Sequence, residues 1–126
     1  KELKGKGIEE LQIIRVRGFK DFTNVCAFQN LKYLRIEDQI KLELLNFRKK
    51  LNKLEKLSLI NCKSLSTLTQ LNNLPELRQL VILQTAIDFE DFINQKLPKK
   101  IEHFGFHTMK KKIDRRIKDK LSELGY

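Results

Sequence analysis

The feature that most constrains the fold is a short apolar frame, LxxLxL, that recurs along the whole chain. Its first residues are 23, 23, 23 and 24 positions apart, and all fifteen apolar positions are filled. The copies are Ile8/Leu11/Ile13, Leu31/Leu34/Ile36, Leu54/Leu57/Leu59, Leu77/Leu80/Ile82 and Ile101/Phe104/Phe106. Such even spacing indicates five copies of one unit stacked in an array. The 126 residues are therefore predicted to form a single repeat domain.

Each frame predicts a short strand, and the stretch after it predicts a tightly wound return. Two apolar residues at a spacing of two, such as Leu57 and Leu59, are typical of a strand with one face on a core. Apolar residues then fall at every third position, which suits a 3₁₀ turn or a short irregular helix. In the first and third returns they are Phe19, Phe22, Val25, Phe28, Leu65, Leu68, Leu71 and Leu74. The second return, Leu42 to Leu51, is rich in helix formers and predicts one or two α-helical turns.

These patterns resemble the leucine-rich repeat family, whose unit is LxxLxLxxN/CxL. The resemblance covers residues 8 to about 108. Two copies match most closely, through Leu54, Leu57, Leu59 and Cys62 and through Leu77, Leu80, Ile82, Thr85 and Ile87. The family resemblance implies an α/β fold, a right-handed solenoid. Parallel strands would line its concave side, and 3₁₀ or short helical segments its convex side.

The sequence departs from the family pattern at the Asn/Cys position, which holds no asparagine. The residues there are Val16, Gln39, Cys62, Thr85 and Met109. In the family this side chain satisfies backbone groups in the turn, and only Cys62 and Thr85 suit that role here. An irregular arc is therefore expected, and the subclass of repeat stays open.

Residues 109–124 predict an amphipathic helix that caps the C-terminal end of the array. Its apolar residues lie three or four positions apart and form one stripe along the helix. They are Met109, Ile113, Ile117, Leu121 and Leu124. Thr108 is suited to cap the first turn, and Gly125 is suited to end the last one.

The chain is strongly basic, with a formal net charge of +10 and a pI near 9.7. Basic charge of this size favours nucleic acids or anionic membrane surfaces, but it also keeps a leucine-rich surface soluble. The basic residues cluster in the C-terminal helix and in the second return. They are Lys110, Lys111, Lys112, Arg115, Arg116, Lys118 and Lys120, and Arg48, Lys49, Lys50 and Lys53. A membrane-surface helix is not favoured, because the apolar stripe is needed to cover the last repeat.

Cys26 and Cys62 are the only cysteines, too few for a disulfide framework or a four-ligand zinc site. We predict that both are reduced and buried, which favours a cytoplasmic location. The longest apolar runs are only a few residues long. They predict neither a transmembrane helix nor the core of a signal peptide.

No sequence motif points to catalysis or to a cofactor. The chain has no G-x-S-x-G elbow, no phosphate-binding loop and no dinucleotide fingerprint. His103 and His107 would share one face of a helix and could hold a metal there. On a strand they would lie about 13 Å apart, too far for one ion. The chain is therefore predicted to be non-enzymatic, with no metal and no cofactor.

The residues between the frame leucines are the candidates for function, because they alternate with the core positions and face outward. Ile60, Val81 and Leu83 are apolar where a solvated sheet would carry polar side chains. A mixed apolar and polar strand face is typical of a binding surface. The candidates are Tyr33, Arg35, Glu37, Lys56, Ser58, Ile60, Gln79, Val81, Leu83, His103 and His107. The competing interpretation is that they pack beneath flanking loops.

Three functions follow from these observations. The favoured one is recognition of another protein by the concave strand face. The second is binding of nucleic acid or another polyanion by the basic C-terminal helix and the second return. The third is a small inhibitor or antitoxin-type protein that masks an enzyme, a use known in the family that the chain resembles.

Overall fold

A computed structural model describes residues 9–15, 28–95, 97–107 and 111–126. Its elements in chain order are β1 (Glu10–Ile14), β2 (Tyr33–Glu37), β3 (Leu44–Asn46), β4 (Lys56–Ile60), β5 (Thr67–Thr69), a 3₁₀ helix (Leu71–Asn73), β6 (Gln79–Leu83), α1 (Phe89–Phe92), β7 (His103–His107) and α2 (Lys111–Glu123). Several sequence predictions concern residues outside the described ranges: Ile8, Val16, Phe19, Phe22, Val25, Cys26, Thr108, Met109 and Lys110.

The five-residue strands form one parallel sheet in the order β1-β2-β4-β6-β7. Each neighbouring pair is aligned at the repeat spacing, so that Leu57 of β4 lies between Leu34 of β2 and Leu80 of β6. Backbone hydrogen bonds between repeats continue just before the strands. The amide of Glu55, for example, donates to the carbonyl of Lys32 over 2.8 Å. The parallel-strand solenoid predicted from the recurring frame is therefore confirmed.

The frame leucines form the core by stacking on their counterparts in the adjacent repeats. In the three central strands the inward residues are fully buried: Leu34, Ile36, Leu57, Leu59, Leu80 and Ile82. At the C-terminal end Phe104 and Phe106 take these positions and are only half-buried. They join Phe89 and Phe92 in an aromatic cluster, in which the rings of Phe89 and Phe106 lie 5.1 Å apart between centroids.

A left-handed backbone residue ends four of the sheet strands and turns the chain into the return. Arg15, Asp38, Asn61 and Gln84 have φ values of 52°, 59°, 53° and 57°. Aspartate and asparagine adopt this conformation more readily than most side chains do. The turn therefore recurs at the same point of these four repeats without glycine.

The second return contains a strand, and the prediction of α-helical turns between Leu42 and Leu51 is wrong. Strand β3 pairs in parallel with β5 of the next return, with Leu45 opposite Leu68. The side chain of Thr69 donates a hydrogen bond to that of Asn46 across this pair. Helix propensity is overruled because the two returns, stacked at the repeat spacing, satisfy each other's backbone groups.

The position that departs from the family pattern still serves the backbone in two described repeats. The Cys62 thiol lies 3.6 Å from the carbonyl oxygen of Ile60, and Thr85 Oγ1 accepts the amide of Ile87 over 3.3 Å. Burial raises the pKa of the Cys62 thiol. Gln39, at the same position of the second repeat, is buried, with 3% of it exposed.

Helix α2 runs beside the return of the fourth repeat. Arg116 Nη2 donates to Glu90 Oε1 over 2.9 Å, and Ile117 and Leu121 are buried in the core. Leu124, which the sequence places on the apolar stripe, follows the end of α2 and is 54% exposed. Gly125 has a φ of 92°, which suits the residue after a helix. No helix within the described ranges is long and apolar enough to cross a membrane.

Leu57→Ala tests the repeat frame. Because the leucine is fully buried, we expect its truncation to lower the free energy of unfolding by about 2–5 kcal/mol. Urea denaturation measures the change. Gln79→Ala, at an exposed position of β6, is the control and should change stability by less than about 0.5 kcal/mol. A loss of that small size for Leu57→Ala would show that the frame does not define the core.

Candidate functional site

The predicted site residues lie on the side of the five-stranded sheet that points away from the core, here called the outer face. In-register pairing arranges the outer face in three columns, each with one residue from every strand. They are Glu10, Tyr33, Lys56, Gln79 and His103; Gln12, Arg35, Ser58, Val81 and Gly105; and Ile14, Glu37, Ile60, Leu83 and His107. Neighbours within a column lie on adjacent strands, whose backbones are about 4.8 Å apart, so the three columns form one continuous surface.

One part of the outer face is a polar network around Arg35. Its guanidinium donates two hydrogen bonds to Glu37 Oε1, from Nε over 2.9 Å and from Nη2 over 2.5 Å. The hydrogen bond to Glu37, with a weaker one involving Tyr33, raises the pKa of Arg35. The Lys56 ammonium lies 5.0 Å from the centre of the Tyr33 ring, within cation–π distance. These contacts hold the charged side chains in place and balance Arg35 with Glu37.

The other part of the outer face is apolar. Ile60, Val81 and Leu83 are half-buried on the adjacent strands β4 and β6, and Gly105 follows Val81 in the same column. Ile14, 43% exposed, extends the outer column at the other end of the sheet, beyond Glu37. The polar network and the apolar part thus lie side by side on a single sheet.

Ser58 differs from the prediction for the outer face, because only 3% of it is exposed. It lies between the larger side chains of Arg35 and Val81, in the central column of the central strand. Ser58 therefore has almost no accessible surface for a partner to contact. The sequence pattern assigns a side to each residue but does not report the size of its neighbours.

Alternating charges pair along the edge of the outer face that precedes the strands, here called the front rim. Its residues are Glu9, Lys32, Glu55, Arg78 and Glu102. Lys32 Nζ lies 3.9 Å from a Glu9 carboxylate oxygen, and Arg78 Nη1 lies 3.4 Å from one of Glu102. Since these side chains are exposed, each pair contributes at most about 1 kcal/mol to stability. Their main effect is to balance the charge of the front rim.

The opposite edge, here called the back rim, consists of the left-handed residues Arg15, Asp38, Asn61 and Gln84. Asp38 accepts a hydrogen bond from Asn61 Nδ2 over 2.7 Å and another from Arg15 Nε over 2.9 Å. The bond from Asn61, and then that from Arg15, holds the pKa of the Asp38 carboxyl below its ordinary value. The back rim therefore joins three successive repeats through side chains.

The outer face and its two rims are close to neutral, although the chain is strongly basic. They carry five basic and six acidic side chains, which gives a net charge of −1 with histidine uncharged. These are Arg15, Lys32, Arg35, Lys56 and Arg78, and Glu9, Glu10, Glu37, Asp38, Glu55 and Glu102. The excess positive charge of the chain therefore belongs to residues outside this surface.

A cavity and the possible metal ligands are the alternatives to the outer face. An open cavity of about 370 Å³ lies between β5 and α1, and its lining includes Thr67, Asp88, Asp91 and Gln95 but none of the predicted site residues. Within the described part of the chain, no group of three or more histidine, cysteine or acidic side chains is arranged to hold a metal ion. The outer face therefore remains the candidate site.

Sequence reasoning missed the two rims. The back rim has a signal in the sequence, since Arg15, Asp38, Asn61 and Gln84 each follow a predicted strand at intervals of 23 residues. Asp and Asn at two of these positions are typical of a left-handed turn. Pairing along the front rim has a similar signal, because acidic and basic residues alternate there from one repeat to the next.

No protein-family model matches the chain, and no curated protein or solved structure matches it either. The function is therefore inferred from the geometry and the charge distribution of the outer face.

Asn61→Ala tests the back rim. Without the Asn61 hydrogen bond, the pKa of Asp38 should rise toward its ordinary value, as measured by NMR titration of the carboxyl carbon. Because the folded-state pKa is depressed, Asp38 stabilises the fold above about pH 4 and this contribution is lost as the pH falls. The variant should lose less stability in that acidic range. Arg15→Gln, which removes the hydrogen bond and the charge of Arg15, should also raise this pKa, and an unchanged Asp38 pKa in Asn61→Ala would contradict the assignment.

Proposed function

We propose that the chain is a non-catalytic recognition module of the leucine-rich repeat type that binds a partner protein on the outer face of its sheet. The observation that carries the proposal is the contrast between this face and the rest of the chain. In a chain of net charge +10, the outer face and rims are nearly neutral, and their charges pair within the surface. Ile60, Val81 and Leu83 lie half-buried beside these pairs, as in the mixed surfaces through which proteins associate.

The repeat type is supported by features beyond the spacing of the frame. Each repeat contributes one strand to a parallel sheet and sends its frame leucines inward. The second to fourth returns, which the structure describes, are short and contain a 3₁₀ helix, one turn of α-helix or a three-residue strand. Cys62 at the Asn/Cys position contacts two backbone carbonyls, those of Ile36 and Ile60. In this assignment the outer face is the concave face of the solenoid.

Binding would use side chains that are already held in place. Arg35 is fixed by two hydrogen bonds to Glu37, and Tyr33 is covered by Lys56. Ordering these groups before association reduces the entropy lost on binding. Tyrosine and arginine are enriched among the residues that dominate interface energies. Tyr33, Arg35, Ile60, Val81 and Leu83 are therefore the proposed anchors. An inhibitor that masks an enzyme would use the same anchors, and it is a special case of this proposal.

Leu83→Asp tests the proposed face. Immobilised wild-type chain captures the partner from the source cells, mass spectrometry identifies it, and calorimetry then measures its affinity for each variant. We expect Leu83→Asp to weaken binding at least tenfold, because a carboxylate replaces an apolar contact, and to leave the fold intact. Ile40→Asp is the control, since Ile40 is 59% exposed outside the sheet.

Two outcomes of this experiment would count against the proposed face. Equal affinity of the two variants would show that the partner does not contact Leu83. Global unfolding of Leu83→Asp, seen as the loss of its circular dichroism, would place Leu83 in the core.

A polyanion is the second candidate ligand, favoured by the four exposed cations of the second return. Arg48, Lys49, Lys50 and Lys53 lie within residues 48–53, which include no acidic residue. Lys53 Nζ lies 2.9 Å from Asn30 Oδ1, which places its charge beside the preceding turn. Helix α2 adds exposed cations, including Arg115 and Lys118. Nucleic acid would therefore bind away from the outer face.

A salt titration separates the two candidates. If the four cations of the second return bind duplex DNA, the logarithm of the affinity should fall with the logarithm of salt concentration with a slope of about −3 to −4. Fluorescence anisotropy with a labelled duplex measures it. Changing all four cations to glutamine should abolish this dependence, whereas Arg115→Gln with Lys118→Gln tests the helix separately. An absence of binding near about 150 mM salt would reject the polyanion candidate.

A further inference from the structure

The fold does not account for glycine at position 105, in the middle of β7. Its backbone lies outside the left-handed region that favours glycine. A Cβ atom there would lie 3.6 Å from His103 Nε2 and 3.8 Å and 3.9 Å from the methyl carbons of Val81, which are ordinary contacts. Glycine inside a strand costs conformational entropy and forgoes packing with its neighbours. Alanine would therefore suit the fold at least as well.

The missing side chain leaves a hollow in the apolar part of the outer face. The backbone of Gly105 forms its floor, and Val81 and the His103 ring stand at contact distance on its sides. Leu83 lies two residues further along β6, on the same side of the sheet as Val81. A strand glycine without a backbone role often marks a place where another molecule approaches closely. The hollow therefore has room for about one methyl group, such as the end of a longer side chain.

We infer that the hollow over Gly105 seats an uncharged, apolar side chain of the partner protein, an inference that rests on the proposed function. Charge selects this occupant. The outer face and rims are nearly neutral, and the charge of Arg35, which lies in the same column as Val81, is already matched by Glu37. A charged group over Val81 and Leu83 would lose hydration without gaining a new countercharge. A leucine or isoleucine side chain has no charge to desolvate, and its terminal methyl group would bury apolar surface there.

A peptide library displayed on phage, selected for binding to the 126-residue chain, tests the inference with defined probes. We expect the enriched peptides to share an uncharged apolar residue. Gly105→Ala fills the hollow and should weaken these peptides at least tenfold, while its urea midpoint stays equal to that of the wild type or rises. Gln12→Val is the control, because it exchanges a polar for an apolar side chain in the same column at the far end of the sheet. It should leave the affinity unchanged.

The outcomes separate this inference from the proposed function. Peptides that lose affinity with Leu83→Asp but bind Gly105→Ala as well as the wild type would overturn the hollow and leave the outer face as the binding surface. A consensus with an acidic or basic residue at the sensitive position would also overturn it. Peptides that are insensitive to both variants would count against the outer face as a whole. A lower urea midpoint for Gly105→Ala would mean that the fold itself needs the glycine.

Discussion

The structure depends on the in-register stacking of leucines between adjacent repeats. One repeat presents its frame leucines to one side of a single strand and cannot bury them alone. Leu57 becomes fully buried because Leu34 and Leu80 lie on either side of it at the strand spacing. Full burial of each such side chain is worth about 1.5–3 kcal/mol relative to exposure. The spacing of 23 residues is therefore a stability requirement, and the turns and returns adapt to it.

The same register shapes the outer face, because residues that alternate with the leucines must also form columns. Side chains from adjacent repeats then meet as neighbours, and charges of opposite sign pair along the rims. Arg35 and Glu37 pair within one strand and keep the face itself balanced. The excess positive charge of the chain lies outside this surface, chiefly in the second return and in residues 110–126. The nearly neutral, partly apolar sheet therefore differs in charge from the rest of the chain.

Particular residues show how far the sequence can be interpreted. The strands and their register were predictable, since fifteen apolar positions recur at almost constant spacing. The Leu42–Leu51 return was not, because its helix-forming residues give no sign that Thr67–Thr69 will pair with Leu44–Asn46. Residues could be assigned to the outer face from the alternation of side chains along each strand alone. The burial of Ser58 could not, since it depends on the size of Arg35 and Val81 in other repeats.

The sequence by itself determined the period of the array, the side of each strand residue and the total charge. These properties follow from the order of residues within one repeat and from composition. Tertiary structure decided the second sheet, the pairing of the rims, the neutrality of the outer face as a surface, and the hollow over Gly105. Each of these depends on atoms brought together from repeats at least 23 residues apart, so local sequence rules do not contain them.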